Sequence, residues 1–136
     1  MKRKICLILS SILVLSLIMT TAAFASDIST YNNNTMITYT SFIITDSGEA
    51  RVAYQYEGYE GITAGAVITI KIEKRNFLFF WDEIVEDCFV VPEVRGFGCN
   101  YYQLTKTGTY RCTVTYRVGG TGGADDVITF EDTKTY

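Results

Sequence analysis

The chain has 136 residues, with 12 lysines and arginines against 15 aspartates and glutamates, and it contains no histidine. The missing histidine excludes Ser-His-Asp and Cys-His nucleophile systems and removes the commonest zinc ligand. The acidic balance, without any run of cations after the N-terminus, argues against a nucleic acid or an anionic membrane surface as the main partner.

Residues 1–25 have the three-part order of a secretory signal peptide. Cations at positions 2–4 precede an apolar run over residues 5–19, and Ala23 and Ala25 provide the small side chains of a cleavage site. The apolar run is shorter than the roughly 20 residues with which a helix crosses a bilayer. We therefore predict cleavage after Ala25 and a secreted, extracellular protein that meets a membrane only during export.

The remainder of the chain has the size of one domain. Loss of the three leader cations changes the net charge from −3 to −6. Residues 26–35 are polar and lack periodicity, so we expect a flexible lead-in. Residues 36–136 are rich in Thr, Val, Ile and Tyr, show no sustained helical stripe and contain one proline, and they predict an all-β domain.

Alternation of apolar and polar residues marks the strands of this domain. The clearest strand spans residues 67–75, in which Ile68, Ile70 and Ile72 face one side. Residues 49–56 and 109–118 alternate in the same way, and a glycine-rich connection leads from the latter to a last strand over residues 125–135. About seven strands at this spacing predict a two-sheet antiparallel β-sandwich of the immunoglobulin-like type.

The most unusual feature of the sequence is a run of five large apolar residues: Phe77, Leu78, Phe79, Phe80 and Trp81. We predict that the run opens a strand over residues 78–85, paired with the preceding strand as a hairpin. In a strand, its odd-numbered members would share one side and its even-numbered members the other. A two-layer sandwich buries one side only, so we expect the other side to bind a partner or to be covered by residues 89–98.

Three cysteines remain after export, at positions 88, 99 and 112. Cys112 lies on the apolar side of the 109–118 strand, and we expect it to be buried as a small hydrophobe. Cys88 and Cys99 bracket a predicted loop, and closing that loop would remove on the order of 2.5 to 3 kcal/mol of unfolded-chain entropy. We predict a Cys88–Cys99 disulfide, with a bridge from Cys112 to either partner as the alternative.

Two groups of acidic residues could carry chemistry, but each has a simpler interpretation. Four acids between residues 83 and 93 could pair as glycosidase carboxylates, yet a small domain without cleft-forming insertions favours a solvated strand edge. The acids at 125–126 and 131–132 match no calcium loop, because adjacent residues of a strand point to opposite faces. We predict no catalytic residue, no metal site and no cofactor.

Two resemblances extend this interpretation. Leu104, Gly108, Tyr110 and Cys112 resemble the corner between strands E and F of immunoglobulin-like domains, in which a tyrosine two residues before a cysteine packs the corner. No cysteine lies in the second strand, so the disulfide of antibody domains is not available. The corner resemblance implies architecture and no activity.

Over most of the domain, the chain is similar to small secreted proteins of uncharacterised function from Gram-positive, clostridium-like bacteria. This resemblance rests on the Ala-x-Ala signal and on four stretches, residues 68–74, 81–85, 108–116 and 133–136. It implies no known activity.

The sequence favours a secreted, non-enzymatic β-sandwich that acts as an interaction or surface-associated module. The expected partner is a protein or a glycan, with self-association through the 77–81 run as another use of the same residues. A carbohydrate-binding module, in which exposed aromatic rings stack on sugars, is the alternative function. A secreted toxin or an enzyme inhibitor is a third interpretation.

Overall fold

The computed structural model describes residues 32–136, so the predicted signal peptide and residues 26–31 of the predicted lead-in lie outside the described residues. Seven strands follow one another in this part of the chain: β1 (Thr35–Ile44), β2 (Glu49–Gly58), β3 (Thr63–Arg75), β4 (Trp81–Val91), β5 (Arg95–Gln103), β6 (Thr109–Gly120) and β7 (Asp126–Thr135). Residues 32–136 contain no helix that is long and apolar enough to cross a membrane.

The strands form two antiparallel sheets. The three-stranded sheet has the order β1-β2-β5, and the four-stranded sheet has the order β4-β3-β6-β7. The chain therefore passes from one sheet to the other after β2, after β4 and after β5. The prediction of an all-β domain with two antiparallel sheets and about seven strands is confirmed, as is the pairing of β3 with β4 in a hairpin.

The core lies between the two sheets and is built by alternate residues of the central strands. Ile68, Ile70 and Ile72 of β3 are fully buried, as their spacing predicts. Each such side chain stabilises the fold by about 1.5 to 3 kcal/mol relative to its exposed state. Strand β6, which is the neighbour of β3, and strand β2 of the other sheet contribute further buried residues that alternation also predicted: Ala50, Val52, Tyr56, Tyr110, Cys112, Val114 and Tyr116.

The prediction of a loop over residues 89–98 is wrong, because β4 and β5 occupy most of this segment. Gly98 lies opposite Tyr54, and Gly96 lies opposite Tyr56, in the ladder that joins β2 to β5. A Cβ at Gly98 would lie 2.3 Å from Oη of Tyr54, and a Cβ at Gly96 would lie 2.9 Å from the Tyr56 ring. The two glycines therefore make room for tyrosine rings inside the sandwich.

The entry to β1 is fixed by Asn34, which belongs to the predicted lead-in and is fully buried. Its side-chain amide donates hydrogen bonds to the carbonyl groups of Val118 (3.4 Å) and Ala124 (3.0 Å). Its Oδ1 accepts a hydrogen bond from the N–H of Gly122 (3.2 Å). One side chain thus joins the start of β1 to the end of β6 and to the glycine-rich connection that follows it.

Asp126 completes this buried polar group at the start of β7. Its carboxylate accepts hydrogen bonds from the backbone N–H groups of Asn33 (2.9 Å) and Asn34 (2.8 Å). Burial alone would raise the pKa of Asp126, but hydrogen bonds, foremost those from the backbone of Asn34 and Asn33, together outweigh burial and hold that pKa below its usual value. We call Asn33, Asn34 and Asp126 the polar anchor.

Candidate functional site

The turn between β3 and β4 is built around the side chain of Asn76. Its Oδ1 accepts hydrogen bonds from the backbone N–H groups of Leu78 (2.9 Å) and Phe80 (3.1 Å). Its backbone N–H donates to the carbonyl of Phe80 (2.9 Å), and its own carbonyl accepts from the N–H of Phe79 (3.0 Å). Asparagine side chains often take the place of backbone groups in turns. Residues 76–80 therefore form a closed turn with its own hydrogen bonds.

This turn carries four large apolar side chains out of the sandwich. Phe77 is 87% exposed, Leu78 57%, Phe79 71% and Phe80 67%. None of the four packs against the buried core. We call these four residues the apolar tip. A tip left in water forgoes the stabilisation that burial of each phenylalanine or leucine would bring, about 1.5 to 3 kcal/mol.

The structure corrects the prediction of a strand over residues 78–85, because β4 begins only at Trp81. The apolar run has high β-propensity, but the hydrogen bonds of Asn76 close a turn over its first four members. The prediction that the run has one buried and one free side is therefore wrong, since the tip is exposed throughout. Phe79 also has a φ of 65°, a left-handed value that bulky residues rarely adopt.

Trp81 lies where the turn passes into the sheet and is half-buried. The guanidinium carbon of Arg111 lies 4.6 Å from the centroid of its ring. A cation over an aromatic face is attracted by the quadrupole of the ring. The fifth member of the predicted patch is therefore packed against the four-stranded sheet and is separate from the apolar tip.

A cavity of about 440 Å³ lies at the base of the apolar tip, and Leu104 and Tyr110 are part of its wall. The charged residues that line it are Lys74, Arg75, Lys106 and Asp82. The carboxylate of Asp82 accepts a hydrogen bond from the side-chain amide of Asn76 (3.1 Å). Three cations and one carboxylate that is already hydrogen-bonded thus line the cavity, a balance that favours anionic groups beside an apolar surface.

The outer face of the three-stranded sheet carries a second exposed aromatic group. Tyr39 is 60% exposed, Phe97 86% and Tyr101 60%. Gln55 lies between Tyr39 and Phe97 in the register of the sheet. The guanidinium carbon of Arg51 lies 5.8 Å from the centroid of the Tyr101 ring. We call Tyr39, Phe97 and Tyr101 the aromatic face.

The sequence analysis missed the aromatic face because it placed Phe97 in a loop. Two features of the sequence could have revealed it. Phe97 and Tyr101 are four residues apart, the spacing at which a strand presents residues to the same side. Tyr39 lies in the stretch after Met36 whose composition already predicted an all-β domain.

Part of the outer face of the four-stranded sheet carries charges that are paired with one another. Glu73 accepts hydrogen bonds from Nε and Nη2 of Arg111, at 2.8 Å and 2.6 Å. Lys71 lies between two carboxylates, with Nζ 3.0 Å from Glu83 and 3.6 Å from Glu73. This face therefore holds a charge network that is satisfied within the chain.

Three of the acidic residues considered for chemistry have structural partners. Asp87 accepts a hydrogen bond from the hydroxyl of Tyr102 (2.7 Å), and burial together with this bond raises the pKa of Tyr102. Glu83 pairs with Lys71, and Asp126 belongs to the polar anchor. Within residues 32–136, no group of three or more Cys, Asp or Glu side chains is arranged to hold a metal ion.

The predicted Cys88–Cys99 disulfide is not formed, and both thiols are free and exposed. Cys88 lies opposite Thr69 in the four-stranded sheet, and Cys99 lies opposite Ala53 in the three-stranded sheet. Both occupy outward positions, so their side chains point away from each other, whereas a disulfide needs convergent Cβ atoms. Cys112 is buried as predicted, and burial raises the pKa of its thiol to about 12.

The apolar tip at one end of the sandwich and the aromatic face on one side are therefore apolar, exposed surfaces of the described residues. On the opposite outer face, Lys71, Glu73 and Arg111 are paired within the chain. In comparisons with known proteins, no family model, no curated protein and no solved structure matches this chain.

Proposed function

We propose that the exported chain is a non-enzymatic interaction module that uses the apolar tip to attach itself to a surface. The observation that carries this proposal is the exposure of four consecutive large apolar side chains on a turn closed by Asn76. Burial of this tip against a partner would provide the hydrophobic stabilisation that is absent while the tip is exposed to water. Exposed apolar clusters of this kind are typical of interaction surfaces in soluble domains.

We infer that the module is an immunoglobulin-like sandwich. The inference is supported by Tyr110, which is buried on the penultimate strand, two residues before Cys112. Its hydroxyl donates a hydrogen bond to the carbonyl of Lys106, four residues upstream (2.5 Å). A tyrosine corner of immunoglobulin-like domains has this position and this bond. Loops at the ends of such sandwiches are frequent binding sites, and the apolar tip is at one end.

The test compares three forms of the protein produced by a secreting host: wild type, Phe77→Ser/Phe79→Ser and Phe97→Ser. The fraction of each that remains on washed cells is measured against the fraction in the medium. The proposal expects the tip variant to move into the medium while wild type and the Phe97 variant stay on the cells. Phe97 is the matched control, because it is as exposed as Phe77 and lies outside the tip. Equal retention of all three forms would contradict the proposal.

A carbohydrate-binding module is the second candidate function, and the aromatic face favours it. Three exposed rings on one sheet could stack on sugar faces, and Gln55 offers an amide between two of them. A soluble-glycan array probed with the same variants separates the two candidates. Sugar binding through this face would be lost in Phe97→Ser and kept in the tip variant. The interaction through the tip would show the opposite pattern.

A further inference from the structure

We propose that the surface recognised by the apolar tip is an anionic lipid bilayer. The tip would enter the interfacial region while Lys74, Arg75 and Lys106 bind headgroup phosphates. This inference rests on the proposed function, since it names the partner of the same tip. Three observations carry it: the hydrogen bonding of the turn, the cations at its base and the position of Trp81 where the turn joins the sheet.

The first observation is that three of the four backbone N–H groups of the tip are already hydrogen-bonded within the turn. The N–H groups of Leu78 and Phe80 donate to Oδ1 of Asn76, and the N–H of Phe79 donates to the carbonyl of Asn76. The carbonyl of Phe80 accepts from the N–H of Asn76. A segment that leaves water for lipid must satisfy its backbone groups internally, because hydrocarbon offers no partners. This turn meets that requirement for three N–H groups and one carbonyl of the tip, which suits entry into the interfacial region rather than into the hydrocarbon.

The second observation is the group of cations behind the tip. Lys74 and Arg75 end β3, and Lys106 comes from the connection between β5 and β6, so that the fold brings together cations that are distant in sequence. The guanidinium carbon of Arg75 lies 4.7 Å from the centroid of the Phe79 ring. Basic residues next to an apolar insertion draw a protein to anionic lipid. The overall charge of the sequence argued against an anionic membrane as the main partner, but an overall charge does not reveal a local group of cations.

The third observation is the order in which side chains follow one another from the tip inward. Phenylalanine and leucine come first, and Trp81 lies at the point where the turn joins the sheet, opposite Arg75 in the register of β3 and β4. A bilayer presents the same order, with hydrocarbon beyond an interface at which tryptophan and basic residues are both enriched. A protein partner would bury the tip as well, but it would not require this order. The geometry therefore favours lipid.

The experiment measures binding of the exported protein, with its N-terminus established by mass, to two kinds of vesicle. One is made of phosphatidylcholine alone, and the other contains phosphatidylglycerol in addition. We expect binding to the anionic vesicles to be about tenfold tighter or more, and to weaken as salt is added. Trp81 is the single tryptophan of the chain, so its fluorescence should shift to shorter wavelength when the tip enters the interface.

Three variants complete the experiment, and thermal unfolding shows that each is folded. Phe77→Ser/Phe79→Ser should lose vesicle binding by about tenfold or more, and Phe97→Ser should bind as wild type does. Lys74→Gln/Lys106→Gln should lose the preference for anionic vesicles. The inference is overturned if wild type binds neither vesicle, if the tip variant binds as wild type does, or if only the Phe97 variant loses binding.

The vesicle experiment tests the lipid inference, and the cell-retention experiment tests the proposed function, so their negative outcomes can be told apart. Retention that depends on the tip, together with no binding to either vesicle, overturns the lipid inference and leaves the interaction module with a protein partner. Retention that does not depend on the tip overturns the proposed function itself.

Discussion

Asn34 and Asn76 lie near opposite ends of β3, and each fixes the chain around it through its side chain. At the Asn34 end, polar residues are buried: Asn34 is fully enclosed, and Asp126 lies beside it. At the Asn76 end, the four apolar residues that follow are exposed. The usual relation between polarity and burial is thus reversed at both ends, with polar residues buried at one end and apolar residues exposed at the other. The position of each segment follows from where its backbone finds hydrogen bonds rather than from its hydropathy.

The two asparagines differ in the reach of their hydrogen bonds. Asn34 bonds to Val118, Gly122 and Ala124, which lie more than 80 residues further along the chain. Asn76 bonds to residues two and four positions away. Long-range bonds in a buried site are part of the tertiary structure, whereas local bonds at an exposed turn determine only the shape of that turn. We therefore expect substitutions at the two ends to have different consequences.

The largest effect is expected for Asn34→Ala. The substitution leaves two carbonyl groups and one N–H without their partner in a buried site, and each such group costs about 1 to 3 kcal/mol. Because water can reach part of the space that is vacated, we expect a loss of about 2 to 4 kcal/mol in the free energy of unfolding. Urea denaturation at neutral pH measures it. Asn32→Ala, at an exposed position, is the control and should stay within about 0.5 kcal/mol of wild type.

The second prediction tests the contribution of Asp126 to the polar anchor through the pH dependence of stability. Asp126→Asn replaces a carboxylate oxygen that accepts a backbone N–H with an amide that cannot, and we expect a loss of about 1 to 3 kcal/mol at neutral pH. The pKa of Asp126 is lowered in the folded state, so the unfolded chain binds its proton more readily. Its contribution is fully present above the unfolded pKa of about 3.9 and disappears as the pH falls through the lower folded value.

Urea denaturation of wild type and Asp126→Asn over a series of pH values tests this assignment. The difference between the two proteins should be constant near neutrality and should shrink once the pH drops below about 4. A difference that stays the same down to strongly acidic pH would mean that the charge of Asp126 is not what holds the two N–H groups.

The central strands were predictable because their signal is local and repeated. Alternation over β2, β3 and β6 identified the buried isoleucines and the buried Cys112 without knowledge of the partners. The two-sheet architecture followed from the number and spacing of such strands. The glycine-rich connection before β7 was also visible, since glycines cluster where the chain must turn.

What could not be predicted depends on partners that are distant in sequence. Asn34 looks like a linker residue until β6 and β7 provide its hydrogen bonds. Gly96 and Gly98 look like a loop until the tyrosines of β2 occupy the space above them. The apolar tip was misassigned for a local reason, because the β-propensity of its side chains concealed the turn that Asn76 closes.

The third prediction concerns the turn itself. Asn76→Ala removes the acceptor for the N–H groups of Leu78 and Phe80, but both residues are exposed and water can replace the lost bonds. We expect a loss of about 0.5 to 1.5 kcal/mol in the free energy of unfolding, clearly below that of Asn34→Ala. Amide hydrogen exchange of residues 76–80 should accelerate while exchange in β3 stays slow. An effect as large as that of Asn34→Ala would show that the turn is part of the tertiary structure.

The smallest effect on stability is expected for substitutions at the apolar tip. These substitutions test most directly whether the apolar residues of the tip are exposed in solution. Phe77→Ser and Phe80→Ser remove rings that are already in water, so each should change the free energy of unfolding by no more than about 0.5 kcal/mol. The matched control is Phe42→Ser in β1, where the same substitution removes a buried ring and should cost about 3 to 5 kcal/mol. Urea denaturation of the three variants measures the contrast.

If the tip variants were destabilised as strongly as Phe42→Ser, the tip would be packed against the domain in solution. It would then not be available to bind a partner. If stability is unchanged while attachment to a surface disappears, the apolar residues of this segment serve binding and not folding.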